Sequence, residues 1–224
     1  LACQVRPTTD LSILPLLPAD ATARDGKRPG GLEGQEKLMS IMFIDLRGST
    51  KLGEEKLPYD VLFILNRFFA EMTSALLETD GHYAQFNGDG LMALYGLNDA
   101  TPEFGAQKII EGAQAMLRRL DALNKTLESE LKAPLKIGIG IHFGEAIVGI
   151  MGPPNSQLTT AIGDNINIAA RLESLTKEYG KSIIISRRAA KTADITLNDD
   201  DLHEVVVRGR DAPIHFYAID NFPD

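Results

Sequence analysis

Residues Leu38 to Thr50, LMSIMFIDLRGST, constrain this chain more than any other stretch. Leu38 to Phe43 is apolar apart from one serine, too apolar for a surface element, which predicts a buried strand. The strand delivers one carboxylate, Asp45, and stops. Gly48, Ser49 and Thr50 follow as a small flexible turn with capping side chains, predicting a helix from about Lys51. A helix start offers unpaired backbone N–H groups and the positive end of a dipole, and both suit a phosphate. An anionic ligand beside an anion cradle makes chemical sense if a metal–phosphate complex lies between them. The competing reading is an Asp that caps the turn, which is the commoner role of a strand-end Asp.

A second stretch bears on that choice. His82 to Asn87 reads as a strand, Gly88-Asp89-Gly90 as a tight turn and Leu91 to Tyr95 as the returning strand. Gly-Asp-Gly between two apolar runs is a strong hairpin signal, and it puts a carboxylate at the hairpin tip. If the hairpin lies beside the first strand, Asp45 and Asp89 meet at one sheet edge. Two carboxylates there repel unless a divalent cation joins them.

FIDLRGST (43–50), QFNGDG (85–90) and AIGDNINIAARLES (161–174) resemble the three signature blocks of the class III adenylyl/guanylyl cyclase catalytic domain. They stand in the family's order and at about its usual separations, and the resemblance runs from about Glu36 to Tyr217. It implies that Asp45, Asp89 and the carbonyl of Leu46 hold two divalent cations, Mg²⁺ or Mn²⁺. It implies that Gly48, Ser49, Thr50 and Gly88 lie along the nucleotide. Asn167 would orient the ribose, and Arg171 would neutralise charge growing on the α-phosphate as the 3′-hydroxyl attacks. A guanidinium suits that task because it is always charged and presents forked donors. Without the resemblance, Arg171 reads as an exposed arginine paired with Glu173 or Glu178. Arg208, in VVVRGRD, matches the family's triphosphate-binding cation, usually Lys, although Arg210 two residues on is a rival.

Base recognition departs from the family pattern. Adenylyl cyclases commonly carry Lys four residues before the second metal Asp, and Asp seven before the Asn; guanylyl cyclases carry Glu and a small residue. Here those positions are Gln85 and Thr160, the Thr resembling a bacterial subgroup. A Gln amide both donates and accepts, so it can serve adenine or guanine. The expectation is an adenylate cyclase acting on ATP. The alternatives are a guanylate cyclase and a catalytically weak regulatory pseudo-cyclase. The presence of Asp45, Asp89, Asn167 and Arg171 together disfavours the last, and a diguanylate cyclase lacks its GGDEF-type signature here. In the family the aspartates and the Asn/Arg pair come from different subunits, which implies a homodimer with composite sites.

The 224 residues suffice for one sizeable domain with a short appendage. A formal charge of −8 argues against a nucleic-acid partner, whose phosphates need clustered Lys and Arg. No apolar run approaches the roughly 20 residues of a membrane helix, and one cysteine excludes an internal disulfide framework, so a cytoplasmic location is expected. LACQVRP resembles the end of a [2Fe–2S] ferredoxin domain, with Cys3 as a last cluster ligand, or else holds an incidental Cys. One cysteine cannot bind the cluster. The expected organisation is a possible ferredoxin remnant at 1–13, a Pro/Gly-rich linker at 14–34 and the cyclase domain at 35–224, with a regulatory domain N-terminal to it in a longer protein.

Along the domain, helical periods mark Lys51 to Leu57, Tyr59 to Thr79, Pro102 to Leu131 and a last helix ending at Gly180. Lys136 to Phe143 and Glu145 to Met151 read as two strands around a turn at Gly144. Ser182 to Ser186, Leu202 to Arg208 and Ile214 to Ile219 complete the sheet. The pattern predicts an α+β fold: a ferredoxin-like βαββαβ core with extra strands, the helices on one face of a mostly antiparallel sheet, as in polymerase palms. Other motifs fail. Gly180-Lys181-Ser182 has Leu175 where a phosphate loop needs Gly, and His142 reads as a satisfied core histidine.

Overall fold

The computed structural model describes residues 34–98, 101–151, 157–206 and 212–223. Cys3, the 1–13 remnant, the linker up to residue 33 and Arg208 lie outside the described residues. The strands are β1 (Gln35–Arg47), β2 (His82–Asn87), β3 (Gly90–Tyr95), β4 (Lys136–Met151), β5 (Leu158–Ile162), β6 (Ile183–Ser186), β7 (Leu202–Val205) and β8 (Ile214–Ile219). The helices are α1 (Ser49–Glu55), α2 (Pro58–Glu78), α3 (Pro102–Thr126), α4 (Asp164–Tyr179) and α5 (Arg187–Thr192). All belong to one compact unit, Gln35–Asp224. Among the described residues no helix is long and apolar enough to cross a membrane.

The sheet runs β2-β3-β1-β4-β6-β8-β7, with β5 pairing β4. Its first four strands, in the order β2-β3-β1-β4, are the antiparallel ferredoxin-like core; β4 and β6 run parallel. The α+β class is therefore as expected. The helices, however, cover both faces rather than one. Met42, Ile44 and Leu46 of β1 pack with Ile64 and Phe68 of α2 and Ile109 and Met116 of α3. Met39 and Ile41 point the other way and join Ala169 of α4, while Ile168, Leu172 and Leu175 of α4 pack on Ile184 and Phe216. A strand apolar at every position needs cover on both sides, so α4 closes the second face.

β4 corrects another expectation. Lys136 to Met151 is one continuous strand, and Gly144 is a ladder residue opposite Met39. Its missing side chain serves a close approach, because a Cβ there would lie 2.4 Å from Cγ of Asn165 on α4. The same logic explains the I-G-I-G alternation. Ile137, Ile139 and Ile141 face the core beneath α2 and α3. Gly138 and Gly140 face α4, where a Cβ on Gly140 would meet the Glu173 amide nitrogen at 2.2 Å. Helix α4 thus lies directly on the sheet backbone.

Candidate active site

Asp45 sits near the end of β1, with Gly90 of β3 and Gly138 of β4 as its two neighbours across the ladders. Antiparallel partners share a face, so Asp45 points toward α4 between two residues without side chains. The β1–β3 ladder ends at that pair, leaving Leu46 and Arg47 with β4 partners alone. The next residue before Gly90 is Asp89, in the tight turn that Gly88 opens at φ 66°. The hairpin does lie beside β1, so the two aspartates meet at one end of the sheet, as expected in that case. A Cβ on Gly90 would lie 3.3 Å from Asp45 Oδ1, so glycine keeps the space beside that carboxylate open.

The turn after β1 is built to face them. Gly48 takes φ 74°, a left-handed conformation favouring glycine, and α1 starts at Ser49, two residues earlier than expected. Ser49 does not cap the helix; its hydroxyl donates to Asp89 Oδ2. Thr50 is exposed. With no side-chain cap on α1, the first backbone N–H groups are left for water or a ligand.

Two further side chains of α4 reach this place, and the sequence reading missed both roles. Lys177 Nζ donates to Asp45 Oδ2 at 2.8 Å. Glu173, one turn earlier, sits beside them, with Oε1 buried and without a hydrogen-bond partner. Burial pushes the Glu173 carboxyl up to about 7, with the negative charge of Asp45 next, against the pull of Lys177 and Arg47. The Lys177 ammonium is held above its ordinary value, first by the hydrogen bond to Asp45. The signal available was Glu173 and Lys177 four apart in RLESLTK, a spacing that puts them on one helix face.

Asn167 and Arg171 lie on another face of α4, both exposed. At about 100° per residue they share a stripe with Glu178, well round the helix from Glu173 and Lys177. Arg171 Nη1 pairs with Glu178 Oε1 at 3.1 Å, one of the two partners expected if the arginine had no other task. Within one chain, then, the fold joins Asp45 to Asp89 and turns Asn167 and Arg171 outward. The start of α4 is anchored by a polar chain that runs from buried His142 to the surface. His142 bonds Ser186 Oγ through Nδ1 at 2.8 Å and Asn165 Oδ1 through Nε2 at 3.0 Å, and Asn165 Nδ2 donates to the Glu145 carbonyl at 2.8 Å. His142 is the satisfied core histidine expected.

Gln85 is exposed on β2. Thr160 lies on β5 opposite Gly149, 7% exposed, and its hydroxyl is buried without a partner. The two strands approach one another, with His82 Nε2 3.2 Å from the Thr159 carbonyl oxygen.

The donor set fits a hard divalent cation. It offers two carboxylates and a strand-end carbonyl beside glycine-made space, and an ammonium already stands where positive charge is wanted. Among the described residues no cluster of three or more His, Cys, Asp or Glu could hold an ion alone.

Fold and site together define a nucleotide-cyclase type of domain, and the comparisons agree. Residues 33–221 match the model of the adenylate and guanylate cyclase catalytic domain, and the chain belongs to that family. It is 30% identical over 203 residues to an adenylate cyclase of Anabaena cylindrica, covering 85% of this chain and 39% of that protein. It is 27% identical over 190 residues to adenylate cyclase 1 of Rhizobium meliloti, covering 85% and 28%. The chain thus spans well under half the length of these relatives. Among solved structures it resembles the guanylyl cyclase Cya2 (TM-score 0.75, 26% identity, covering 85% of this chain and 95% of that one). It also resembles the adenylyl cyclase CyaB from P. aeruginosa (TM-score 0.72, 27% identity, covering 84% and 96%).

Proposed function

We propose that this chain is the catalytic part of an adenylate cyclase, forming 3′,5′-cyclic AMP and pyrophosphate from ATP at the interface of a homodimer. The observation that carries the reading is the division of labour on the surface. Asp45 and Asp89 lie together at the sheet end, while Asn167 and Arg171 stand exposed on a separate face of α4. One chain presents two half-sites that a symmetric dimer would join.

Two divalent cations, Mg²⁺ or Mn²⁺, held by Asp45, Asp89 and the Leu46 carbonyl, would supply activation of the ribose 3′-hydroxyl and neutralisation of the leaving phosphates. The chain's own groups do the rest. The 3′-oxygen forms a bond to the α-phosphorus as the bond to the pyrophosphate oxygen breaks and the hydroxyl proton is lost. Asn167 of the opposite subunit holds the ribose, so that the hydroxyl is aimed before reaction. Arg171 meets the charge that grows on the α-phosphate. Its ion pair with Glu178 is exposed and weakly held, so substrate can take its place. Gly48, Ser49 and Thr50 line the triphosphate, with Gly88 keeping the second turn small, and Arg208 meets the terminal phosphates.

Gln85 and Thr160 read the base. The partnerless Thr160 hydroxyl supports this, since a buried polar atom left unmatched in the free chain is matched when a ligand arrives. Dimer formation is supported by exposed apolar side chains on the β4–β5 ribbon: Ile147, Ile150, Met151, Leu158 and Ile162 are 45–53% exposed. One observation favours a second reading, guanylate cyclase: the neutral amide of Gln85 can match guanine as well as adenine. The test is incubation of the purified chain with Mn²⁺ and either ATP or GTP, with the products separated chromatographically. Cyclic AMP with equimolar pyrophosphate is expected. Cyclic GMP as the main product selects the second reading, and bound nucleotide without product overturns both.

A further inference from the structure

Helix α4 carries exposed Asn167 and Arg171 on one face, and on another, beside Asp45, the half-buried Glu173 and the exposed Lys177. The face beside Asp45 holds two features that the proposed reaction leaves unused. Lys177 Nζ lies 2.8 Å from Asp45 Oδ2, the oxygen a cation would need. Glu173 Oε1 is buried without a hydrogen-bond partner one helical turn away. We propose that Lys177 is the resident counter-ion of the metal site: its ammonium occupies Asp45 while the ions are absent and transfers to Glu173 when they bind. This rests on the metal role of Asp45 and Asp89 proposed above.

Charge and reach carry the argument. One carboxylate oxygen cannot keep an ammonium at hydrogen-bond distance while a doubly charged ion binds it, because two cations that close repel strongly in a partly buried site. The Lys177 side chain is 57% exposed, so it can swing without repacking the core. Glu173 is the natural receiver. A Glu four residues before a Lys is the favourable order for a helical ion pair. Its Oε1 has room, because it lies over Gly138, where a Cβ would come within 2.9 Å. Transfer of the ammonium also ends the cost of a buried polar atom without a partner. While the ions are absent, the same ammonium relieves the repulsion between Asp45 and Asp89. The consequence is competition: an ion arriving alone must displace Lys177, so the free protein binds it more weakly than the aspartates could.

Mn²⁺ binding to the nucleotide-free protein, followed through the electron paramagnetic resonance signal of the free ion, tests this without measuring turnover. Lys177→Met and Lys177→Gln should each tighten Mn²⁺ by up to about fivefold, the range of a partly exposed ion pair. Lys181→Met is the control, since Lys181 is paired with Asp220 instead, and it should change nothing. Asp89→Asn should abolish binding. If Asp89→Asn abolishes binding but both Lys177 variants bind as wild type or more weakly, the counter-ion role is wrong and the metal reading stands. If Asp89→Asn leaves binding unchanged, the metal reading fails and takes the counter-ion with it. A double-mutant cycle checks the receiver: Glu173→Gln should weaken Mn²⁺ more in the Lys177 protein than in the Lys177→Met background. Equal effects in both overturn the transfer to Glu173.

Discussion

Glu173 sits where burial and the charge of Asp45 both resist ionisation, and that makes it a reporter of the site around Asp45. Its carboxyl holds a proton up to about pH 7 in the folded chain, against 4.5 as the ordinary value. Between those values the native state binds a proton that the unfolded state has released, so stability must fall as pH rises through this window. Below 4.5 both states are protonated and the contribution is fully present; above 7 it is gone. The side chain is partly open to solvent, so the effect should be on the order of 1–2 kcal/mol, less than the shift alone implies. Thermal unfolding of the metal-free protein from pH 4.5 to 8 should show this decline, and Glu173→Gln, which copies the neutral form, should flatten it. An unchanged slope in the variant would assign the decline to other groups. If Gln85 reads the base as proposed, Gln85→Lys should raise the ratio of kcat/KM for ATP over GTP, because a fixed cation only donates and penalises the N1–H of guanine. A lost hydrogen bond of about 1–3 kcal/mol corresponds to roughly 5- to 150-fold. No change in the ratio would remove Gln85 from base recognition.

At the scale of elements, what the sequence revealed and what it hid have physical reasons. Asp45 and Asp89 could be paired in advance because a tight Gly-Asp-Gly turn and a strand-end Asp leave few places for either carboxylate. Lys177 could not, because its contact spans 132 positions and exists only once α4 is docked on β1 and β4. The apolar stripe of α4 says that the helix is buried on one side; it does not say which face of the sheet it covers. Gly144 misled for a similar reason, since a glycine written for a turn and one written for close approach look alike in sequence. Short β5 (LTTAI) carries no period long enough to stand out between the GPPNSQ stretch and a helix. The docking of α4 makes a testable demand on Gly140. Its would-be Cβ lies 2.2 Å from the Glu173 nitrogen and 2.5 Å from the Ala169 carbonyl oxygen, both backbone atoms that cannot swing aside. Gly140→Ala should therefore push α4 off the sheet, costing about 1–3 kcal/mol in denaturant unfolding and most of the turnover. Gly53→Ala, where nothing lies within 4 Å, should leave both near wild type. Wild-type behaviour of Gly140→Ala would contradict the packing of α4 on β4.

For the whole molecule, the decisive property is that the chain's two sets of chemical groups face different ways. Asp45 and Asp89 belong to the sheet end beneath Lys177, whereas Asn167 and Arg171 project from α4 into solvent. A second apolar surface adds to the case for assembly: Leu57, Tyr59, Leu62 and Phe63 around the start of α2 are 49–85% exposed, more than isolated surface residues explain. If two copies join so that each supplies what the other lacks, a defect in one half-site can be complemented by an intact copy. Under the proposed roles, Asp45→Ala and Arg171→Ala should each be inactive alone, the first lacking the proposed metal ligand and the second the proposed α-phosphate cation. Mixed in equal amounts and allowed to exchange, half the dimers become mixed, and each mixed dimer rebuilds one intact site while concentrating both defects in the other. Turnover should then recover to about a quarter of wild type. The mixing has to be followed independently, for example by energy transfer between differently labelled subunits. Demonstrated exchange with no return of activity would mean that each chain works alone, and Asn167 and Arg171 would have to find their substrate without a partner.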